Sequence, residues 1–177
     1  MHDGGESDDL LIGRCRDGDE EAVKFLIEKY QKKIFALALL LGGNNREIAY
    51  DVATSGFVRA IRAGASRKMG GTFLARLINA VVEDIQDREI IATSGESGFD
   101  LEGIPPIRRE SLRLVKEALQ KLPLDVKVLL LLRDQLHLRH SAIAAVFKST
   151  EASVKAQTIE ARTLLRRKIK EQMGGGG

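Results

Sequence analysis

Tryptophan is absent from this chain of 177 residues, aromatic residues make up only 5% of it, and it carries three prolines and one cysteine. A lone cysteine excludes an internal disulfide framework and fits a reducing compartment. Cys15 lies between Arg14 and Arg16 with no histidine nearby in sequence, which reads as an ordinary half-buried thiol. The scarcity of proline and aromatic residues suits an all-α chain. Long apolar runs are also missing. The stretch 34–41 is too short to span a bilayer and is preceded by Lys32 and Lys33, so no membrane insertion is expected. The start, MHDGGESDD, is acidic rather than basic as in a secretory signal, and a cytoplasmic protein is expected.

Chemistry-bearing clusters are equally scarce. His2, His137 and His140 are the only histidines, and no cysteine or carboxylate set with metal-ligand spacing accompanies them. The pairs Gly42-Gly43 and Gly70-Gly71 lack the strand–loop–helix context and the Lys-Ser/Thr of a phosphate-binding loop. The expectation is a protein without catalysis, cofactor or metal.

What is present is helical periodicity and an uneven charge. The net charge of +3 hides a basic C-terminal part. Residues 109–173 hold 14 Lys/Arg against 7 Asp/Glu, whereas residues 1–91 hold 13 against 15. Such a basic half suits contact with phosphates, because neutralising them releases counterions. Asp8 and Asp9 open a short helix ending near Gly18. A second helix starts around Asp19 or Glu20, with Ala22, Phe25, Leu26, Tyr30, Ile34, Leu37, Ala38 and Leu41 as its core face, and the run Gly42-Gly43-Asn44-Asn45 stops it. A third helix covers about 46–63. A basic loop with Arg67 and Lys68 follows, and Thr72 caps a fourth helix whose inner stripe runs from Phe73 to Ile85. Glu83, Asp84 and Asp87 make that helix acidic, which sits poorly against DNA.

The segment 92–106 is rich in Gly, Ser and Pro and reads as a linker. It divides the chain into a domain at 1–91 and another at 107–173, with a glycine tail at 174–177. The second domain ends in a helix at 124–135, a short helix at 140–146, a turn around 147–149 and a long helix for which Thr150 is the N-cap. Two short helices, a tight turn and a third helix with basic residues form a helix-turn-helix pattern, whose last helix enters the major groove. Its first turns carry Ser153, Lys155, Ala156, Gln157 and Thr158, able to reach bases or phosphates, while Val154, Ile159, Ala161 and Leu165 would face the core.

This C-terminal stretch resembles the DNA-binding domain of the extracytoplasmic-function sigma factors, small sigma-70-type subunits of bacterial RNA polymerase. Leu122-Pro123, Ile143-Ala144, Val154-Lys155, Ala161-Arg162 and Leu165-Arg166 fall on that family's pattern without a gap, and Lys127 stands where it usually has Arg. Ala142, Lys148 and Gln157 replace its usual Glu, turn Gly and Arg. In the N-terminal half, Asp9-Leu10, Gly18-Asp19, Ala49, Asp51, Phe57 and Ala60 match it. Tyr50 replaces a Glu there, and Thr54 and Ser55 replace a Gln-Glu pair. The promoter-melting helix of the family is matched by Phe73-Leu74 and Asp84, with Ala80 at the place of its Asn.

The resemblance implies two helical domains, binding to core RNA polymerase through the β′ clamp and the β flap, and recognition and opening of promoter DNA. It also implies an anti-sigma factor as the usual restraint. By the same resemblance Asp51, Thr54, Ser55 and Phe57 are the polymerase-binding candidates. Lys148, Ser153, Lys155, Gln157, Thr158 and Arg162, with Arg67 and Lys68, are the DNA-binding candidates. Two other classes stay open: a sigma-like adaptor or decoy that binds an anti-sigma protein, and a stand-alone helix-turn-helix regulator acting as a dimer.

Overall fold

The computed structural model describes residues 7–63, 71–88 and 106–174. All regular structure among these residues is helical, and the chain separates into two compact units, Met1–Thr93 and Ser94–Gly177. Among the described residues no helix is long and apolar enough to cross a membrane. The glycine tail beyond Gly174, the basic loop with Arg67 and Lys68, and all of the 92–106 segment but Pro106 lie outside them.

The first unit holds α1 (Asp8–Arg16), α2 (Glu20–Leu41), α3 (Arg46–Ala63) and α4 (Phe73–Asp87). Each start is fixed by a side-chain oxygen that takes orphan backbone N–H groups. Asp19 accepts from Glu21 and Ala22 at 3.0 and 3.2 Å. Asn45 accepts from Glu47 and Ile48 at 2.9 and 3.1 Å, and Thr72 accepts from Ala75 at 3.2 Å. Asp19 also meets the Arg14 guanidinium at 2.8 Å. That bond, with the two backbone donors, holds its carboxyl below the usual carboxylate range. A second brace ties α1 to α2: the Tyr30 hydroxyl donates to Asp8 at 2.6 Å and Lys29 reaches the other Asp8 oxygen at 2.8 Å. Burial and the Asp8 carboxylate both raise the Tyr30 phenol.

Helices α2, α3 and α4 enclose the core. Leu26, Ile34, Leu37, Val52, Leu77, Ile78 and Val81 are fully buried. Phe25 departs from expectation. It lies one position off the buried line Ala22–Leu26–Tyr30 and is 46% exposed. Gly56 explains how closely α3 and α4 approach, since a Cβ there would stand 2.9 Å from Val81 Cγ2.

The second unit holds α5 (Pro106–Gln120), α6 (Leu124–Leu130), α7 (His140–Phe147) and α8 (Glu151–Gly174). The helix expected over 124–135 is α-helical only to Leu130. Leu131–Gln135 winds as a π-turn, with the Leu136 N–H donating to the Leu131 carbonyl at 3.0 Å. The loop after it is pinned by Arg133, which donates to the Leu138 carbonyl at 2.8 Å. Leu129–Leu132, Leu138, Ile143, Val146 and Val154 form the apolar centre of this unit.

Candidate functional site

In the second unit α7, a tight turn and α8 form the motif the sequence led us to expect. The turn is closed by Lys148, whose backbone is left-handed (φ 49°, ψ 44°). The Lys148 and Ser149 N–H groups both donate to the Ala144 carbonyl, the latter at 2.9 Å. Glycine favours such a position because it lacks a Cβ. Thr150 then caps α8, accepting from the Ser153 N–H at 3.1 Å.

The inner face of α8 is Val154, Thr158 and Ala161. Two expectations are corrected here, and they exchange places. Thr158, expected on the DNA side, is 2% exposed and its hydroxyl donates to the Val154 carbonyl at 2.7 Å. Ile159, expected in the core, is 67% exposed. Steps of four and three from Val154 reach Thr158 and Ala161, whereas Ile159 sits about 100° further round. A threonine is buried cheaply when its hydroxyl bonds to its own helix. The spacing alone carried this signal; residue type obscured it.

The remaining DNA-side candidates are Lys148, Lys155, Gln157 and Arg162, all exposed, and Ser153, half-buried. Lys155 lies 3.0 Å from Glu151, and that bond lowers the Glu151 carboxyl. Arg162 bonds Asp134 of the π-turn, with its Nε at 3.3 Å. Both cations are therefore partly occupied within the unit.

In the first unit α3 offers an outward face. Asp51 and Thr54 are exposed and Ser55 is half-buried, but Phe57 is 6% exposed and belongs to the core, so its ring is not on that face. Sequence reasoning missed Val58 and gave Tyr50 only as a replacement; both are exposed large side chains, and they bracket Thr54 on the same face. Beside them Arg88 bonds Asp84 at 2.8 Å and stands 3.9 Å from Asp51. Glu83 is held by Arg59 at 2.7 Å. The acidity expected of α4 is thus largely paired, with Asp84 buried. Cys15 is half-buried, and desolvation, then the Asp19 charge, raise its thiol.

No family model matches the chain. Curated proteins do. It is 27% identical over 176 residues to the RNA polymerase sigma-H factor of Pseudomonas aeruginosa, covering 89% of this chain and 91% of that one. The ECF RNA polymerase sigma-E factor of Haemophilus influenzae is 25% identical over 186 residues, covering 94% and 97%. The Escherichia coli K12 sigma-E factor is 24% identical over 182 residues, covering 92% and 94%.

Over nearly its whole length the chain is similar to bacterial RNA polymerase sigma factors of the extracytoplasmic-function kind.

Among solved structures, CnrH in complex with the cytosolic domain of CnrY matches the chain with a TM-score of 0.65 at 19% identity. The match covers 97% of this chain and 100% of CnrH, and it is a likeness of fold. Within this likeness the helix-turn-helix of the chain is intact, with Lys148 closing its turn.

Proposed function

We propose that this protein is a sigma factor that binds core RNA polymerase, directs it to promoters and starts transcription there, acting by binding and not by catalysis. The observation that carries this reading is coverage: the relatives named as sigma factors match the chain nearly end to end, across both units. On this reading α3 meets the polymerase β′ clamp through Tyr50, Asp51, Thr54 and Val58. The α7–turn–α8 unit binds the upstream promoter element and the β flap, and the segment 92–106 joins the two domains. On the same reading Arg67 and Lys68 touch melted promoter DNA. The protein works in the cytoplasm, where its polymerase is. An anti-sigma partner restrains it, as the capture of CnrH with the cytosolic domain of CnrY suggests by analogy.

The test is a pull-down with bacterial core RNA polymerase followed by run-off transcription from genomic fragments. Stable binding and defined start sites are expected. Tyr50→Ala should weaken binding to core about tenfold or more, as truncation of an interface aromatic does. A folded protein that does not bind core sinks the proposal.

One observation favours a second reading, a sigma-like adaptor that sequesters an anti-sigma protein. The first twelve residues of α8 carry Glu151, Lys155, Glu160 and Arg162, and so have no net charge. Binding to an anti-sigma domain without binding to core would select that reading.

A further inference from the structure

The outward line of α8 is apolar. Ala152, Ala156, Ile159 and Thr163 follow one another at steps of four, three and four and are all exposed. Ile159 is 67% exposed and is the one large side chain among them. The Thr163 hydroxyl is spent on the Ile159 carbonyl at 2.9 Å. Lys155 and Arg166 border the line on one side and Glu160 on the other, all exposed. Two alanines before Ile159 let the helix approach a surface closely, and the two cations on one border suit phosphates along that side of a groove.

A recognition helix built this way has little to offer the hydrogen-bonding edges of bases along its centre. What it presents is hydrocarbon, and one hydrocarbon group stands in the major groove of DNA: the 5-methyl of thymine. We propose that Ile159 is a specificity-determining residue that packs on a thymine methyl in the upstream promoter element, with Ala156 and the Thr163 methyl on either side. The inference rests on the sigma-factor reading and deepens it. Selectivity at these positions then comes from methyl burial, not from bidentate hydrogen bonds.

The test uses the full chain with core polymerase. Bound upstream elements are first selected from randomised duplexes, and each thymine of the selected element is then replaced by deoxyuridine, which lacks only the methyl. Loss of one buried methyl should weaken binding about fivefold at one or two positions. In Ile159→Ala the same replacements should have no effect, while the melting temperature is unchanged. Deoxyuridine tolerated at every position, or equal sensitivity in both proteins, overturns the proposal and leaves the promoter reading standing. If no element is enriched, the promoter reading falls and this one falls with it.

Discussion

Gly56 offers a test of the packing in which the sign of one substitution depends on another residue. Glycine inside a helix costs about 1 kcal/mol relative to alanine, so Gly56→Ala on an open helix would stabilise. Here the added Cβ would stand 2.9 Å from Val81 Cγ2, and the next nearest atom is Leu77 Cδ1 at 3.6 Å. Val81 is fully buried and β-branched, so it has few rotamers into which it can retreat. Overpacking of this kind costs roughly 1–3 kcal/mol, which outweighs the helix gain. Gly56→Ala should therefore destabilise the first unit by about 1 kcal/mol. Val81→Ala alone deletes two buried methyl groups and should cost about 2 kcal/mol.

In the Val81→Ala background the obstruction is gone and ordinary contact with Leu77 remains. Gly56→Ala should then stabilise by about 1 kcal/mol, a coupling of about 2 kcal/mol between adjoining sites. The assay follows from composition. Both tyrosines, Tyr30 and Tyr50, lie in the first unit and tryptophan is absent, so urea denaturation followed by tyrosine fluorescence reports on that unit alone. If Gly56→Ala shifts the midpoint in the same direction in both backgrounds, the close approach of α3 and α4 is not the reason for glycine at this position.

Three further outcomes follow from the second unit. Lys148→Gly should raise its stability by about 1 kcal/mol, since a left-handed residue with a Cβ is replaced by one without, and hydrogen exchange of the α7 amides measures it. Lys127 is half-buried and desolvation lowers its amine, so the unfolded chain holds more protons between that lowered value and about 10.4. Stability from this group therefore rises with pH across that window, and Lys127→Met should flatten the rise in thermal melts followed by circular dichroism. Asp134→Ala releases Arg162, and the plot of log K against log salt for promoter binding should steepen by about 0.9 if the freed guanidinium reaches a phosphate. An unchanged slope would remove Arg162 from the phosphate contacts.

Helix ends were the most legible part of the sequence. Asp19, Thr72 and Thr150 each cap the helix they precede because a short side-chain oxygen is suited to take orphan N–H groups. Phase was legible where the core line was built of apolar residues, as in α2 from Leu26 to Leu41. It failed at Phe25, Thr158 and Ile159, where an aromatic or aliphatic side chain lies just off the line or a threonine lies on it. The π-turn left no mark, because the leucine run 129–132 that leads into it buries equally well in either winding. At the candidate faces, Asp51, Thr54, Lys155 and Gln157 were legible as surface residues. Phe57 was misplaced because resemblance assigns a motif and says nothing of which side of its helix each member takes. The ion pairs of Lys155 and Arg162 were not legible, since one depends on rotamer and the other on a partner 28 positions away.

The π-turn at Leu131–Gln135 has a consequence for how this gene tolerates gain and loss of codons. A π-turn is an α-helix carrying one residue too many, held here by the bond from Leu136 to Leu131, after which the Leu138 N–H closes the chain onto Leu132. Removing one codon from this stretch lets ordinary helical bonding close over the gap, so the backbone survives an event that would break a helix elsewhere. The side chains beyond the gap turn by about 100° relative to those before it. Either Asp134 then leaves Arg162 or Leu132 leaves the core. A lineage that lost this codon would keep the helix and would have to rebuild the contacts between it and α8.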